Sequence, residues 1–248
     1  EGWLIASLGW QQALLALSMA VLLIIPLAFG LREPGFQGAA PPKRDQTIGH
    51  ALREAFSYPS FNLLMAGYFV CGFQVVFIGV HMPSYLRDNG LSPQVASYAL
   101  ALIGLFNVLG TYIAGALGQR MPRRFILSFI YLARAVAISV FLLVPLSPLS
   151  VYIFSAVMGT LWLSTVPPTN ATIAQIFGVQ HLSMLGGFVF FSPQLGRFMG
   201  VWLGGYLYDA TGSYDIVWYI AIGLGVLAGL VNLPIKEAPI QRAQQQAA

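Results

Sequence analysis

Long apolar runs separated by short polar interruptions dominate this chain, and the length of the runs sets the first structural expectation. A hydrocarbon layer of about 30 Å needs about 20 helical residues at a rise of about 1.5 Å each. Seven runs reach that length: 9–31, 61–86, 92–118, 124–145, 149–175, 182–207 and 214–235. Each is expected to cross a membrane as an α-helix. One polar stretch, 32–60, is long and holds Pro34, Pro41, Pro42, Lys43, Arg44 and Asp45. It closes on Ile48 to Phe56, whose spacing suits a short amphipathic helix lying on a membrane surface. The tail after Pro234 turns polar and ends in a Gln/Ala-rich stretch expected to be disordered.

The charges between runs are sorted by side. Arg32, Lys43, Arg44, Arg53, Arg120, Arg123, Arg124, Lys236 and Arg242 fall on one side, and Arg87, Asp88, Asp209 and Asp215 on the other. Basic loops stay in the cytoplasm. The 32–60 linker and the C-terminus are therefore expected inside and the 209–215 turn outside, in a plasma (inner) membrane.

Two charges break the pattern. Arg134 and Arg197 lie near the middle of apolar runs, and no Asp or Glu lies deep inside any run. A cation in hydrocarbon costs several kcal/mol unless it faces a protein-lined cavity. With no intramembrane carboxylate to pair with, a small organic anion is the leading partner, because a planar guanidinium can bind a carboxylate through two parallel hydrogen bonds. Gln194 shares a helix face with Arg197, while Gly196, Gly200 and Gly204 form a small-residue ridge on the adjoining face. That geometry expects the glycines to dock the helix and the arginine to face a cavity. Arg134 stays open between a structural or gating part, substrate contact and snorkelling; Tyr131 one turn away and carbonyls of neighbouring helices are its candidate acceptors.

Weaker candidates follow the same logic. Gln74 and His81 are seven residues apart and stack on one helix face. His81 could exchange a proton near neutral pH, making protons a candidate coupling ion, or could be a hydrogen-bonded interfacial histidine. Asn107 shares a face with Thr111, and Ser164, Thr165, Thr169 and Asn170 surround Pro167-Pro168, which interrupts the fifth run and frees backbone carbonyls. Each of these could line a cavity or bond to its own helix.

Composition narrows the class. The chain is 57% hydrophobic and 8% charged, against roughly 25% charge in soluble domains. The net charge of +4 is spread over loops, without the basic stripe and stacking aromatics of a nucleic-acid binder. The lone Cys71 and three scattered histidines (His50, His81, His181) offer no disulfide framework and no metal spacing. No Ser/His/Asp arrangement or phosphate loop points to an enzyme, and no cofactor is expected. Lys43 and Lys236 both lie in loops, so no intramembrane lysine could hold retinal. The chain begins with Glu1, and Gly2 to Trp10 reads as the end of an earlier loop or helix, as if this were the later part of something longer.

One loop carries a resemblance. Gly115-Ala-Leu-Gly-Gln-Arg-Met-Pro-Arg-Arg124 is similar to the signature loop of the major facilitator superfamily, Gly-x-Leu-x-Asp-Arg-x-Gly-Arg-Arg/Lys, at Gly115, Leu117, Arg120, Arg123 and Arg124. Gln119 stands where that family has Asp and Pro122 where it has Gly, so the acidic member of the family's charge-relay latch is absent from this loop. A helix, a long basic linker and six further helices resemble helix six, the central loop and helices seven to twelve of a twelve-helix transporter. The segments 72–83, 85–92 and 204–214 look like bacterial monocarboxylate and oxalate–formate relatives. The resemblance implies an all-α membrane protein of the major facilitator fold. Residues 1–31 would be the last helix of an N-terminal half, 32–60 a cytoplasmic central linker, 61–235 a C-terminal six-helix bundle and 236–248 a cytoplasmic tail. The first five helices, and with them half of the central cavity, would lie outside this sequence. The implied function is secondary active transport of a mono- or dicarboxylate, by symport or antiport. Arg197 would contact substrate, Gln194, Gln74 and Asn107 would shape the pocket, and Arg134 would sit on a peripheral helix. Gly115, Arg120, Arg123 and Arg124 would serve gating. The competing expectations are a neutral or drug-like solute with structural arginines, and a seven-helix receptor or channel.

Overall fold

The computed structural model describes residues 2–22, 24–26 and 47–240, and every regular element among them is an α-helix. The chain divides into two compact units, 1–45 and 46–248. In the first, α1 (Gly2–Leu22) breaks at Gly9, whose φ of 77° and ψ of 160° suit a residue without Cβ. This kink separates the 2–10 segment from the run after it. Residues 27–31 of that run, the 32–46 part of the linker with its prolines, and the tail beyond 240 lie outside the described residues.

The second unit opens with α2 (Ile48–Ser57), the expected amphipathic helix. Its N-cap Thr47 accepts a hydrogen bond from the His50 amide at 3.4 Å, and its Ala51 and Ala55 are buried. Six longer runs follow as α3 (Pro59–Asp88), α4 (Pro93–Leu117), α5 (Arg123–Leu143), the pair α6 (Pro148–Leu161) and α7 (Val166–Phe177), α8 (Leu182–Thr211) and α9 (Asp215–Asn232). Among the described residues, α3, α4, α5, the α6–α7 span and α9 are long and apolar enough to cross a membrane. Helix α8 is 30 residues long, about 45 Å, but Pro193, Gln194, Arg197 and its glycines dilute its apolar character.

The fifth run, expected over 149–175 with an interruption at Pro167-Pro168, is interrupted, but the break lies ahead of the prolines. A proline ring collides with the carbonyl four residues earlier and withholds its own N–H. Pro167 and Pro168 thus act on Leu163 and Ser164, and the chain leaves the helix at 162–165, a turn ahead of the prolines.

Glycine ridges set the helix spacing. A Cβ built at Gly72 would fall on the Pro193 carbonyl, one at Gly196 on the Phe69 carbonyl, and one at Gly200 would lie 2.7 Å from the Phe73 oxygen. Helices α3 and α8 therefore meet backbone to backbone, as small-residue ridges allow in lipid. On α4 and α6, Gly110 lies against the Thr160 carbonyl, and a Cβ at Gly159 would sit 2.7 Å from the Ile103 oxygen. Helix α9 closes on α5, where the Ser128 hydroxyl donates to the Gly229 carbonyl at 2.6 Å. The core between these pairs is aromatic around Trp218, which meets Phe77 edge-on at 4.8 Å, while Phe141 stacks on Phe154 at 4.1 Å.

Candidate functional site

The break between α6 and α7 strips the last carbonyls of α6 of their helical donors. Arg134, on α5 and completely buried, fills that need. Its Nε donates to Leu161 O at 3.1 Å, and its Nη2 donates to Leu161 O and Trp162 O, each at 2.6 Å. Longer contacts run from Nη1 to Gln74 Oε1 (3.5 Å) and from Nη2 to Cys71 Sγ (3.6 Å). The Tyr131 ring lies 5.4 Å from the guanidinium carbon, a cation–π contact in place of the hydrogen bond the sequence suggested. A cation against the open C-terminal end of a helix is electrostatically favourable. In this arrangement the guanidinium is engaged by backbone carbonyls.

The other strand of the break is held from α4. Asn107 Oδ1 accepts from the Leu163 amide at 3.0 Å and from Thr111 Oγ1 at 3.3 Å. Gln74, fully buried on α3, donates through Nε2 to Ala221 O of α9 at 2.8 Å. Cys71 Sγ lies 3.3 Å from Thr165 Oγ1. Arg134 and Asn107 meet the broken span from two sides, and Gln74 links Arg134 to α9.

Arg197 is arranged differently. It is half-buried on α8 beside the glycine ridge, as the spacing predicts. Its Nη1 donates to the exposed Gln194 Oε1 at 3.2 Å, and its buried Nε has no acceptor. No carboxylate forms an ion pair with it among the described residues. Tyr68 and Phe190, edge to face at 5.2 Å, brace the α3–α8 contact one to two turns away. Asn170 is half-buried on α7, and its side chain makes no hydrogen bond among the described residues. His81 sits over Gly204, where an added Cβ would lie 2.5 Å from its Nε2, and that nitrogen is 3.1 Å from Val201 O. A carbonyl only accepts, so Nε2 carries the proton in this contact. His81 here is a bolt between α3 and α8, flanked by Phe77 and Tyr214 at 5.7 and 5.3 Å.

The signature loop forms a separate polar region at one end of the bundle. Gly115 lies beside Pro167 with room for an ordinary side-chain contact (3.7 Å from its would-be Cβ), and Arg120 is exposed. Arg123 donates to Gln175 Oε1 of α7 and pairs with Glu237 at 3.7 Å. The Arg124 amide donates to Glu237 Oε1 at 2.8 Å, and its guanidinium reaches Ile235 O at 3.4 Å. An open cavity of about 600 Å³ lies between this loop, Gln175 and 236–238. Neither Gln175 nor Glu237 was foreseen from the sequence. A second cavity, about 640 Å³ between α5 and α6, is lined by apolar side chains apart from Ser150 and holds none of the predicted residues.

Apolar membrane-length helices, joined through glycine ridges and interrupted once at a polar node, define a multi-pass α-helical membrane protein. The chain belongs to the Major Facilitator Superfamily, whose pattern matches residues 1–200 and, separately, 64–248. It is similar to the Uncharacterized MFS-type transporter YcxA of Bacillus subtilis, 26% identical over 233 residues, which cover 91% of this chain and 56% of that protein. It is also similar to Monocarboxylate transporter 13 of Bos taurus (24% identical, 94% of this chain, 54% of that protein) and of Rattus norvegicus (25% identical, 94% and 54%). The chain spans about half the length of the curated relatives it matches.

Proposed function

We propose that this chain forms the 61–235 bundle of a transporter that carries a small organic anion, with Arg197 as the ligand for its carboxylate. One observation carries the reading. Of the two arginines inside apolar helices, Arg134 spends its charge on backbone carbonyls, whereas Arg197, among the described residues, keeps a buried Nε without an acceptor and pairs only with Gln194. A single uncommitted guanidinium suits one carboxylate better than two, so a monocarboxylate is favoured over a dicarboxylate. The name printed for two relatives, monocarboxylate transporter, supports that direction. Gln194 orients the guanidinium, and Asn170 is the further polar group free to line the path. Arg134, Gln74 and Asn107 act on the frame and not on the substrate. The mechanism is alternating access in a plasma membrane, with 32–60 and the C-terminus cytoplasmic.

The test is uptake of labelled lactate, pyruvate, formate and oxalate, with a neutral sugar as control, into proteoliposomes holding the complete transporter. Losing a charge-assisted hydrogen-bond pair costs about 1.5–3 kcal/mol, roughly 10- to 100-fold in affinity. Arg197→Gln is expected to raise the half-saturation concentration of the carboxylate by that factor while the protein keeps its melting temperature. The structural use of Arg134 lends some weight to a second reading, a neutral solute with both arginines structural. Sugar uptake indifferent to Arg197→Gln would favour that reading and remove the anion site.

A further inference from the structure

Helix α5 begins without the usual help. Its N-cap is Pro122, which offers no side-chain acceptor to the first-turn amides, and its first two residues are Arg123 and Arg124. Unfilled amides and two cations at the positive end of a helix are both unfavourable. We infer that the segment Ile235–Ile240 is a latch across this end of the bundle, and that Glu237 is its working group, serving as a remote N-cap and counter-ion for α5.

Glu237 Oε1 accepts from the Arg124 amide at 2.8 Å, which is the role an N-cap side chain ordinarily fills from the preceding residue. Its Oε2 lies 3.7 Å from Arg123 Nη1, and Arg123 in turn donates to Gln175 in the last turn of α7. The paired side chains are only 22% and 14% exposed, so the pair is shielded more than an ordinary surface ion pair. Backbone bonds fasten the strap on both sides of the carboxylate. The Lys236 amide donates to Ser60 Oγ at the start of α3 (2.9 Å), and the Ile240 amide donates to Ile176 O at the end of α7 (3.0 Å). Ile235 is fully buried beneath it. One short segment thus ties together the ends of α3, α5, α7 and α9. Gln119 lines the same cavity but brings no charge, and the carboxylate comes instead from a segment more than a hundred residues later. Any motion that parts these helix ends must release Glu237.

Amide hydrogen exchange on the complete protein in lipid nanodiscs tests the latch, for wild type, Glu237→Gln and Arg123→Gln. Removing either partner is expected to speed exchange about tenfold or more in three places: the first turn of α5, the last turn of α7 and residues 235–240. The double variant is expected to cost less than the sum of the two single ones, because Arg123 and Glu237 share one ion pair. Amides along the α3–α8 contact should keep their wild-type rates, which also confirms that the variants fold. Unchanged exchange in Glu237→Gln, or faster exchange in the tail alone, would overturn the inference. The readout does not depend on which solute is carried, so this result and the uptake result stand or fall separately.

Discussion

Arg134→Met should unfold this bundle more readily than almost any other single change outside the glycine ridges. The methionine roughly matches the apolar stem but leaves Leu161 O without its donor and Trp162 O with only the distant Cys71 thiol. Each unsatisfied buried carbonyl costs about 1–3 kcal/mol, so a loss of roughly 2–6 kcal/mol is expected. For a domain of this size about 1 kcal/mol moves the midpoint by about 2–4 °C. A thermal melt in detergent, read by size-exclusion chromatography, should fall by about 10 °C. Arg134→Lys keeps the charge but lacks the fork that reaches two carbonyls at once, and should fall in between. A melt within about 2 °C of wild type for Arg134→Met would show that the carbonyls find other partners. A normal melt with lost uptake would return Arg134 to the substrate path.

The second large effect is expected at Gly196. A leucine there drives its Cβ onto the Phe69 carbonyl, and the obstacle is backbone, which cannot rotate away. Overpacking in a filled core costs about 1–3 kcal/mol when side chains can give, and more is expected where two helices must separate. Gly205 is the control on the same helix, because a Cβ there meets nothing within 4 Å. Gly205→Leu should melt with wild type, and Gly196→Leu should lose 10 °C or more or fail to elute as a single species. Equal melts for the two would mean that α3 and α8 are not in backbone contact.

The spans were legible because a helix in hydrocarbon must be apolar over a fixed length, and that requirement is written residue by residue. The ends of α3 to α5 move by only one or two residues from the runs that predicted them. The amphipathic helix at Ile48–Ser57 and the docking part of Gly196, Gly200 and Gly204 were legible for the same reason, since spacing on a single helix fixes which residues share a face. The location of the α6–α7 break was not, because proline acts four residues upstream of itself and the chain yields where its neighbours can supply bonds. The candidate residues show a sharper division. Arg134 was conspicuous, but its partners are backbone carbonyls, and every residue has one, so no pattern marks Leu161 and Trp162 as acceptors. Gln74 was singled out because it stacks with His81 on one helix face, and its bonds to Ala221 O and Arg134 lie on other helices, which that spacing does not report. The pairing of Arg124 with Glu237 spans 113 residues and two unrelated-looking segments, beyond anything spacing can report.

The burial of Cys71 against Thr165 gives this protein a built-in chemical clock. It is the chain's one thiol, and it faces the interrupted span from the opposite helix. A small alkylating reagent reaches it in moments when the 162–165 break and Arg134 move away from α3. The rate of its modification therefore counts those moments, with no label introduced, and engineered surface thiols can be read beside it without first removing it.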